Sequence, residues 1–563
     1  TLSSSSAASD VYKRQGKAMS TGVENTLIGS SAGDTLTTGG SNTAVGYQAL
    51  STEDTGTRNT AVGYQALRDL NYDGTGHNVA VGYQSGVSVS TGTQNTLIGG
   101  LAGDALTTGI QNVAIGYGAL GSEDAHGYNV AIGTNALKDQ NAGTNAYNVA
   151  VGSDAGRNIT TGETNVIIGG LAGDALTTSS GNVAIGYSAL STEDAHGKNT
   201  AIGFSTLRNQ DAGADAYNVA VGYEAGTAVT TGTNNTLIGG LAGDSLTSGA
   251  HNVAVGYNTL ATEDAHGRNI AIGTNALTTL DAGADAYNIA IGHNAGLSVT
   301  TGTSNTLIGG LSGDALTTGF ANVAIGYQAS GAATIANNNI AIGSDALHDN
   351  VAGDRNVAIG SEALEKMTQA TTTDTYNVAV GYNAGKQVTS GIQNTIIGGN
   401  AGDALTTGEK NIAVGYAALG TEDTGSRNVA IGNAALFSLN YDGTGYNVAI
   451  GHTAGYSITT GTLNTIVGGL AGQTITTGAK NTALGYQALT SNADGSNSTA
   501  IGYRALLTQD PASAIDMYNV AVGHDAGLSV TTGVQNTIVG GLAGDALTTG
   551  SNNVAIGNNA LST

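Results

Sequence analysis

Carboxylates recur at matched places in this chain. Asp194 and Asp211 each lie twelve residues after an asparagine, Asn182 and Asn199, that opens a short repeat, and Asp264 and Asp281 repeat the coincidence after Asn252 and Asn269. If consecutive repeats stack, each pair sits one strand spacing apart, ~4.8 Å, and like charges so placed repel unless water or a cation intervenes. Glu193 and Glu263 stand beside the first member of each pair, while Asn141, Asn71 and Asn440 fill the equivalent place elsewhere, keeping an oxygen and removing the charge. Calcium accepts such mixed carboxylate and amide oxygens, which makes Asp194, Asp211, Asp264 and Asp281 candidate calcium ligands. Two solvated loops splayed apart are the competing reading, because the second repeat of each pair is two residues longer.

Other chemistry-bearing residues fare less well. His126, His196 and His266 fall at one phase of a 70-residue spacing. Four stacked repeats separate them by roughly 19 Å, too far to share a metal, so they are expected as surface-loop histidines. The cluster Gly99-Gly100-Leu101-Ala102-Gly103 is not a phosphate cradle: no lysine follows it, and no helical pattern follows to lend its N-terminus. "GGLAGD" is one residue out of step with the calcium-binding glycine-aspartate nonapeptide, and a period of 17 does not match that repeat. A Ser/His/Asp triad would lack pocket walls on loops of near-constant length, so no catalytic residue is assigned and the chain is expected not to be an enzyme. No cofactor other than calcium is called for.

The elements that must hold these residues are repetitive. Asparagine followed by an aliphatic-glycine pair, N-x-[ALI]-[IVL]-G, recurs from Asn25, Asn42, Asn59, Asn78 and Asn95 to Asn553, with Ser498 standing once in place of the asparagine. Spacings of 17, 17, 19 and 17 make a 70-residue super-repeat, and the full set runs to about 31 units of 17 to 21 residues. Periods this short, sustained this long, mean a solenoid. Within "NVAIG" the alternation is that of a strand: Val113 and Ile115 on one face, Ala114 and Gly116 on the other. The third position after the asparagine is aliphatic in every copy (Ile98, Ile115, Ile132, Val151), which predicts a buried column there. The fifth position tolerates Tyr117, Thr134, Ser153, Gly170, Tyr187, Phe204, Tyr223 and His293, as a solvent-facing site would. The asparagines fit either an amide ladder running up the stack or a duplicated turn-former. "TTG", as at Thr107-Thr108-Gly109 and Thr160-Thr161-Gly162, marks the return turn.

Composition agrees with a narrow, long core. There are 89 Gly, 1 Pro, no Cys, no Trp and 3 Phe, and the 40% apolar content comes mostly from small aliphatics. A formal charge of -24, from 41 acidic and 17 basic residues, repels phosphate backbones and anionic membranes, so no nucleic-acid partner is expected. No apolar run approaches the ~18 residues of a membrane span, and no direct membrane insertion is expected of this fragment. The opening "TLSSSSAASDVYKRQ" shares nothing with the repeats; residues 1–20 are read as a non-native or disordered leader, of the kind a sequencing scar leaves. Residues 21–563 are read as one repetitive shaft, truncated at its C-terminal end.

"NVAIGYGAL", "NTAVGYQAL" and "NIAIGTNAL" resemble the YadA-like head repeats of trimeric autotransporter adhesins, and are similar too to the repeats of phage tail-fibre-like proteins. The resemblance runs from about Asn25 to Thr563. It implies an all-β, left-handed parallel β-roll, three chains wound side by side as a homotrimer, and an extracellular place on a virion tail fibre or a bacterial cell surface. The units here are longer than those of the adhesin heads, and no stalk, anchor or C-terminal chaperone accompanies them. The expected role is a structural fibre or adhesin shaft that presents attachment to a cell surface, meeting a host glycan or protein receptor. The alternative is a glycan-binding surface, with outward tyrosines stacking on sugar rings, or a virion-associated glycan depolymerase whose active region lies outside this fragment. Ice binding would need a threonine array on every coil, and Thr-Thr closes only about half of them.

Overall fold

A computed structural model of the chain describes residues 15–562; residues 1–14 of the expected leader lie outside the described residues. It is an all-β parallel solenoid of 31 turns, with no helix among the described residues. The chain divides into two compact units, the first ending at Asp285 and the second beginning at Ala286. The first carries fifteen strands, from Thr26–Ile28 to Ile270–Ile272, and the second sixteen, from Ile289–Ile291 to Val554–Ile556, with a short extra pair at Gly353–Asp354 and Thr373–Asp374.

Each main strand is three residues long and starts one residue after its asparagine. Within each unit, neighbours pair in parallel and in strict register, as in Val113↔Val130, Ala114↔Ala131 and Ile115↔Ile132. The chain can stay this close because a glycine follows every main strand. Gly99 has φ 132°, and a Cβ there would stand 2.5 Å from the carbonyl oxygen of Gly116 in the next coil. Any side chain would push the coils apart.

The strand faces are the reverse of the sequence expectation. Ala114, Leu97 and Ile167, second after their asparagines, are fully buried, whereas the third-position column is turned outward: Ile98 and Ile168 are each 37% exposed. The invariant aliphatic column therefore lies on the outside. Small residues go in because the coil is thin, and its interior is completed by the turns rather than by a second strand face. Ala119 and Leu120 from one turn, and Leu106 from another, close on the strand residues.

The interior is filled by exchange of volume between positions. In the coil opened by Asn95 the strand contributes Leu97 and the turn Gly103; in the next coil the strand contributes Ala114 and the turn Leu120. A Cβ on Gly103 would come within 2.8 Å of both Leu97 and Leu106. Leu120 and Gly103 share the left-handed region, φ 52° and 57°, so the backbone is constant and only the side chain moves.

The asparagines form a ladder that is mostly amide oxygen to backbone. Asn112 donates its backbone N–H to Asn95 Oδ1 at 2.9 Å, and Asn129 repeats the bond to Asn112 Oδ1 at 3.0 Å. The side-chain nitrogen turns to the return turn: Asn95 Nδ2 donates to the Gly109 carbonyl at 2.8 Å. One side chain thus ties a strand entry, the next coil and the "TTG" turn.

Candidate functional site

The position eleven residues after each asparagine points into the core. It is Leu36, Leu70, Val89, Leu106 or Ile159 in most coils and buried glutamine in others, such as Gln140 and Gln210. At Glu53, Glu123, Glu193, Glu263 and Glu422 it is glutamate, each with no exposed surface. A carboxylate at a leucine position loses solvation, and each of the five is held above the ordinary glutamate range chiefly by that burial. Burial, with the charges of Asp211 and Asp194 adding to it, pushes the Glu193 carboxyl up to about 7 against the backbone amides of His196 and Ala212.

What receives the carboxylate differs between two kinds of loop. Glu53 Oε1 accepts the amide of Gly56 at 2.6 Å, and Oε2 accepts that of Tyr72 on the next coil at 3.2 Å. Glu422 is held the same way by Gly425 and Tyr441, at 2.6 and 3.3 Å. Both oxygens are satisfied. In the other three loops a histidine replaces the glycine and the tyrosine is absent. The amides of His126, His196 and His266 reach Oε1 at 3.1, 3.1 and 3.0 Å, but Oε2 of Glu123 and of Glu193 has no hydrogen-bond partner. Ala142 and Ala212 on the following coils pull on those carboxylates only through long amide contacts. At Glu263 the amide of Ala282 approaches Oε2 at 3.4 Å.

The imidazoles fold back over these glutamates. Nδ1 of His126, His196 and His266 lies 3.5, 4.0 and 3.4 Å from Oε1 of Glu123, Glu193 and Glu263, buried and without a hydrogen-bond partner. These histidines are half-buried members of a cluster rather than free surface groups.

Of the four carboxylates singled out from the sequence, Asp264 and Asp281 converge. Donor atoms of Glu263, Asp264, His266 and Asp281 all lie within 4.8 Å of one another. Glu193, Asp194 and His196 form the same kind of group, as do Glu123, Asp124 and His126, while Asp211 stays outside its group and acts on Glu193 through its charge. Spacing alone favoured aspartate pairs between coils; the tighter pairing is within one loop, Glu to His three residues on. The signal available in the sequence was that histidine appears after "EDA" only where the next coil carries an "AG" turn in place of "NYDG".

Two outer surfaces complete the inventory. The first is the aliphatic stripe formed by the first and third strand positions. The second is a row of rings at the fifth position, where Tyr47, Tyr64 and Tyr83 stack with centroids 5.3 Å apart at each step, and Tyr187, Phe204 and Tyr223 at 5.7 and 5.4 Å. Gly100 and Gly170 interrupt the row. Beside Tyr117 a shallow pocket of about 210 Å³ is lined by Asp104, Asn135 and Lys138.

No family model matches the chain, and no curated protein is significantly similar to it.

Proposed function

We propose that the chain is the shaft of an extracellular fibre, of the phage tail-fibre or surface-adhesin kind, that holds an attachment end away from its base. The observation that carries this reading is the outward aliphatic column. Ile98, Ile168 and Ile238, one super-repeat apart, are each more than a third exposed, and every strand between them offers further Val, Ile or Thr on the same face. A stripe renewed once per coil, at a pitch of ~4.8 Å, is matched coil by coil only by a body of the same pitch, and a second copy of this chain is such a body. Three copies packed stripe to stripe would bury it and stiffen the shaft, in keeping with the left-handed trimeric roll that the repeats resemble.

Sedimentation tests it. The wild-type chain is expected to sediment as a trimer, and Ile98→Asp, Ile168→Asp, Ile238→Asp to shift it towards the monomer while leaving its β-rich circular dichroism. A wild-type chain that stays monomeric at tens of micromolar would overturn the side-by-side assembly.

The ring row favours a second reading, a glycan-binding flank on the same shaft. Stacked, exposed rings with a polar edge suit sugar faces, and Asp104, Asn135 and Lys138 offer hydroxyl partners beside Tyr117. Glycan-array binding that is lost on Tyr117→Ala, Tyr187→Ala, Tyr257→Ala would support it; binding indifferent to those changes would remove it.

A further inference from the structure

We propose that the loops at Glu123, Glu193 and Glu263 each bind one divalent cation of the zinc class, through a glutamate oxygen, the histidine Nδ1 three residues on, and the intervening aspartate carboxylate, with Asp281 adding an oxygen at the third. This goes beyond the fibre reading and does not depend on it.

Three observations support the assignment independently of the acidic clustering. First, buried polar atoms are left over on both sides of the gap: Oε2 of Glu123 and Glu193, and Nδ1 of all three histidines, have no partner. Orphaned buried polar atoms are rare, and an ion between them is one of the few arrangements that satisfies both at once. Second, at His266 and His126 the separation from Oε1, the glutamate oxygen that also accepts the histidine amide, suits a shared metal better than a hydrogen bond, while His196 stands farther off. Two donors bound at ~2.1 Å with a tetrahedral angle between them stand ~3.4 Å apart; the observed Nδ1 to Oε1 distances are 3.4, 3.5 and 4.0 Å. Third, the chain contains its own comparison. Where glycine replaces the histidine, at Gly56 and Gly425, both glutamate oxygens are bonded by backbone amides. Among these five loops a partnerless glutamate oxygen appears only with the histidine, at Glu123 and Glu193, although the neighbouring Asp54 Oδ1 of the Gly56 loop is also without a partner.

The donor set decides the kind of ion. An imidazole nitrogen with two or three carboxylate oxygens suits zinc and its neighbours, whereas calcium prefers six to eight oxygens and does not take up imidazole. Each loop keeps its donors within one coil, apart from Asp281, so the sites lie four coils apart, roughly 19 Å, and bind separately. A water can complete the ligand set.

Zinc chloride titrated by calorimetry into the full chain, freed of metal by chelator, tests this. Three equivalents per chain are expected, one per cluster, and cobalt(II) in place of zinc should give the visible absorption of a low-symmetry, four-coordinate ion. The variant His126→Gly, His196→Gly, His266→Gly copies the glycine that the chain uses at Gly56 and Gly425; it should lose all three equivalents, and His266→Gly alone should lose one. If the triple glycine variant melts below the wild type in the absence of metal, the glutamine triple at the same positions serves instead, since it keeps a side chain and removes the Nδ1 donor. Absence of zinc uptake by the wild type would overturn the proposal. Uptake that survives both triple variants, or calcium uptake that matches zinc, would overturn it as well.

Discussion

Asn252 donates its backbone N–H to Asn235 Oδ1 at 2.9 Å, while Asn235 Nδ2 reaches the Gly249 carbonyl at 2.9 Å. One buried amide therefore closes a turn and fastens the next coil. Asn235→Ala would strand both partners, at ~1–3 kcal/mol for each group left unpaired. Hydrogen exchange should quicken at the amides of Asn252 and its neighbours, with coils more than two steps away unaffected. Ser498 shows what a shorter side chain requires: its hydroxyl takes Nε2 of Gln509 at 2.8 Å, and Gln509 Oε1 in turn accepts Asn519 Nδ2 at 2.8 Å. Asn235→Ser, which has Leu246 where that glutamine would be, should open almost as readily as the alanine variant.

Leu97 and Gly103 exchange volume, so their substitutions should not add. Gly103→Leu alone drives a side chain into Leu97 and Leu106 and should cost several kcal/mol; Leu97→Ala alone leaves a cavity, at ~2–5 kcal/mol. Together they recreate the pair Ala114 and Leu120 of the neighbouring coil, and most of both losses should be recovered in urea titrations. Simple additivity in the double variant would refute the compensation.

The buried glutamates make stability fall with rising pH over part of the range. Glu53 and Glu422 have folded-state pKa values raised by burial above the ordinary 4.5, so the folded chain holds those protons more tightly than the unfolded one. Their favourable contribution is fully present below pH 4.5 and is lost as pH rises through the raised values. In Glu53→Gln, Glu422→Gln, melting temperature plotted against pH should fall less steeply above 4.5 than in the wild type, whatever the constant offset from the altered hydrogen bonds. Parallel curves would mean that neither carboxyl titrates out of step with the unfolded state.

Deleting one super-repeat should shorten the protein without unfolding it. Removal of residues 165–234 joins Thr164 to Asn235, which keeps the spacing from Asn148 to the next asparagine at 17 residues and preserves strand register. Each coil contacts chiefly its neighbours, so solubility and circular dichroism per residue should persist, with roughly 19 Å lost from the longest dimension in small-angle scattering. Aggregation on that deletion would argue against a modular shaft.

The sequence alone determined the architecture, because a solenoid repeats its instructions: the asparagine spacing, strand alternation, glycine after each strand and "TTG" turn all appear as periods that need no long-range information. It did not determine which strand face is inside. Alternation distinguishes two faces without naming them, and the constant aliphatic column at Ile98, Ile115 and Ile132 looked like a core. In three dimensions that column is half-exposed, and Ala114 is buried, because the space inside is bounded by the turn residues Ala119, Leu120 and Leu106 and has room only for what they leave. The candidate metal cluster was legible in part. Like charges at matched phase drew attention to Asp264 and Asp281, but whether a side chain eleven residues into a coil points inward depends on the path of the turn. Only the tertiary structure placed Glu263 in a leucine column and turned His266 back over it. A buried carboxylate and an imidazole become partners through direction, and direction is not written in spacing.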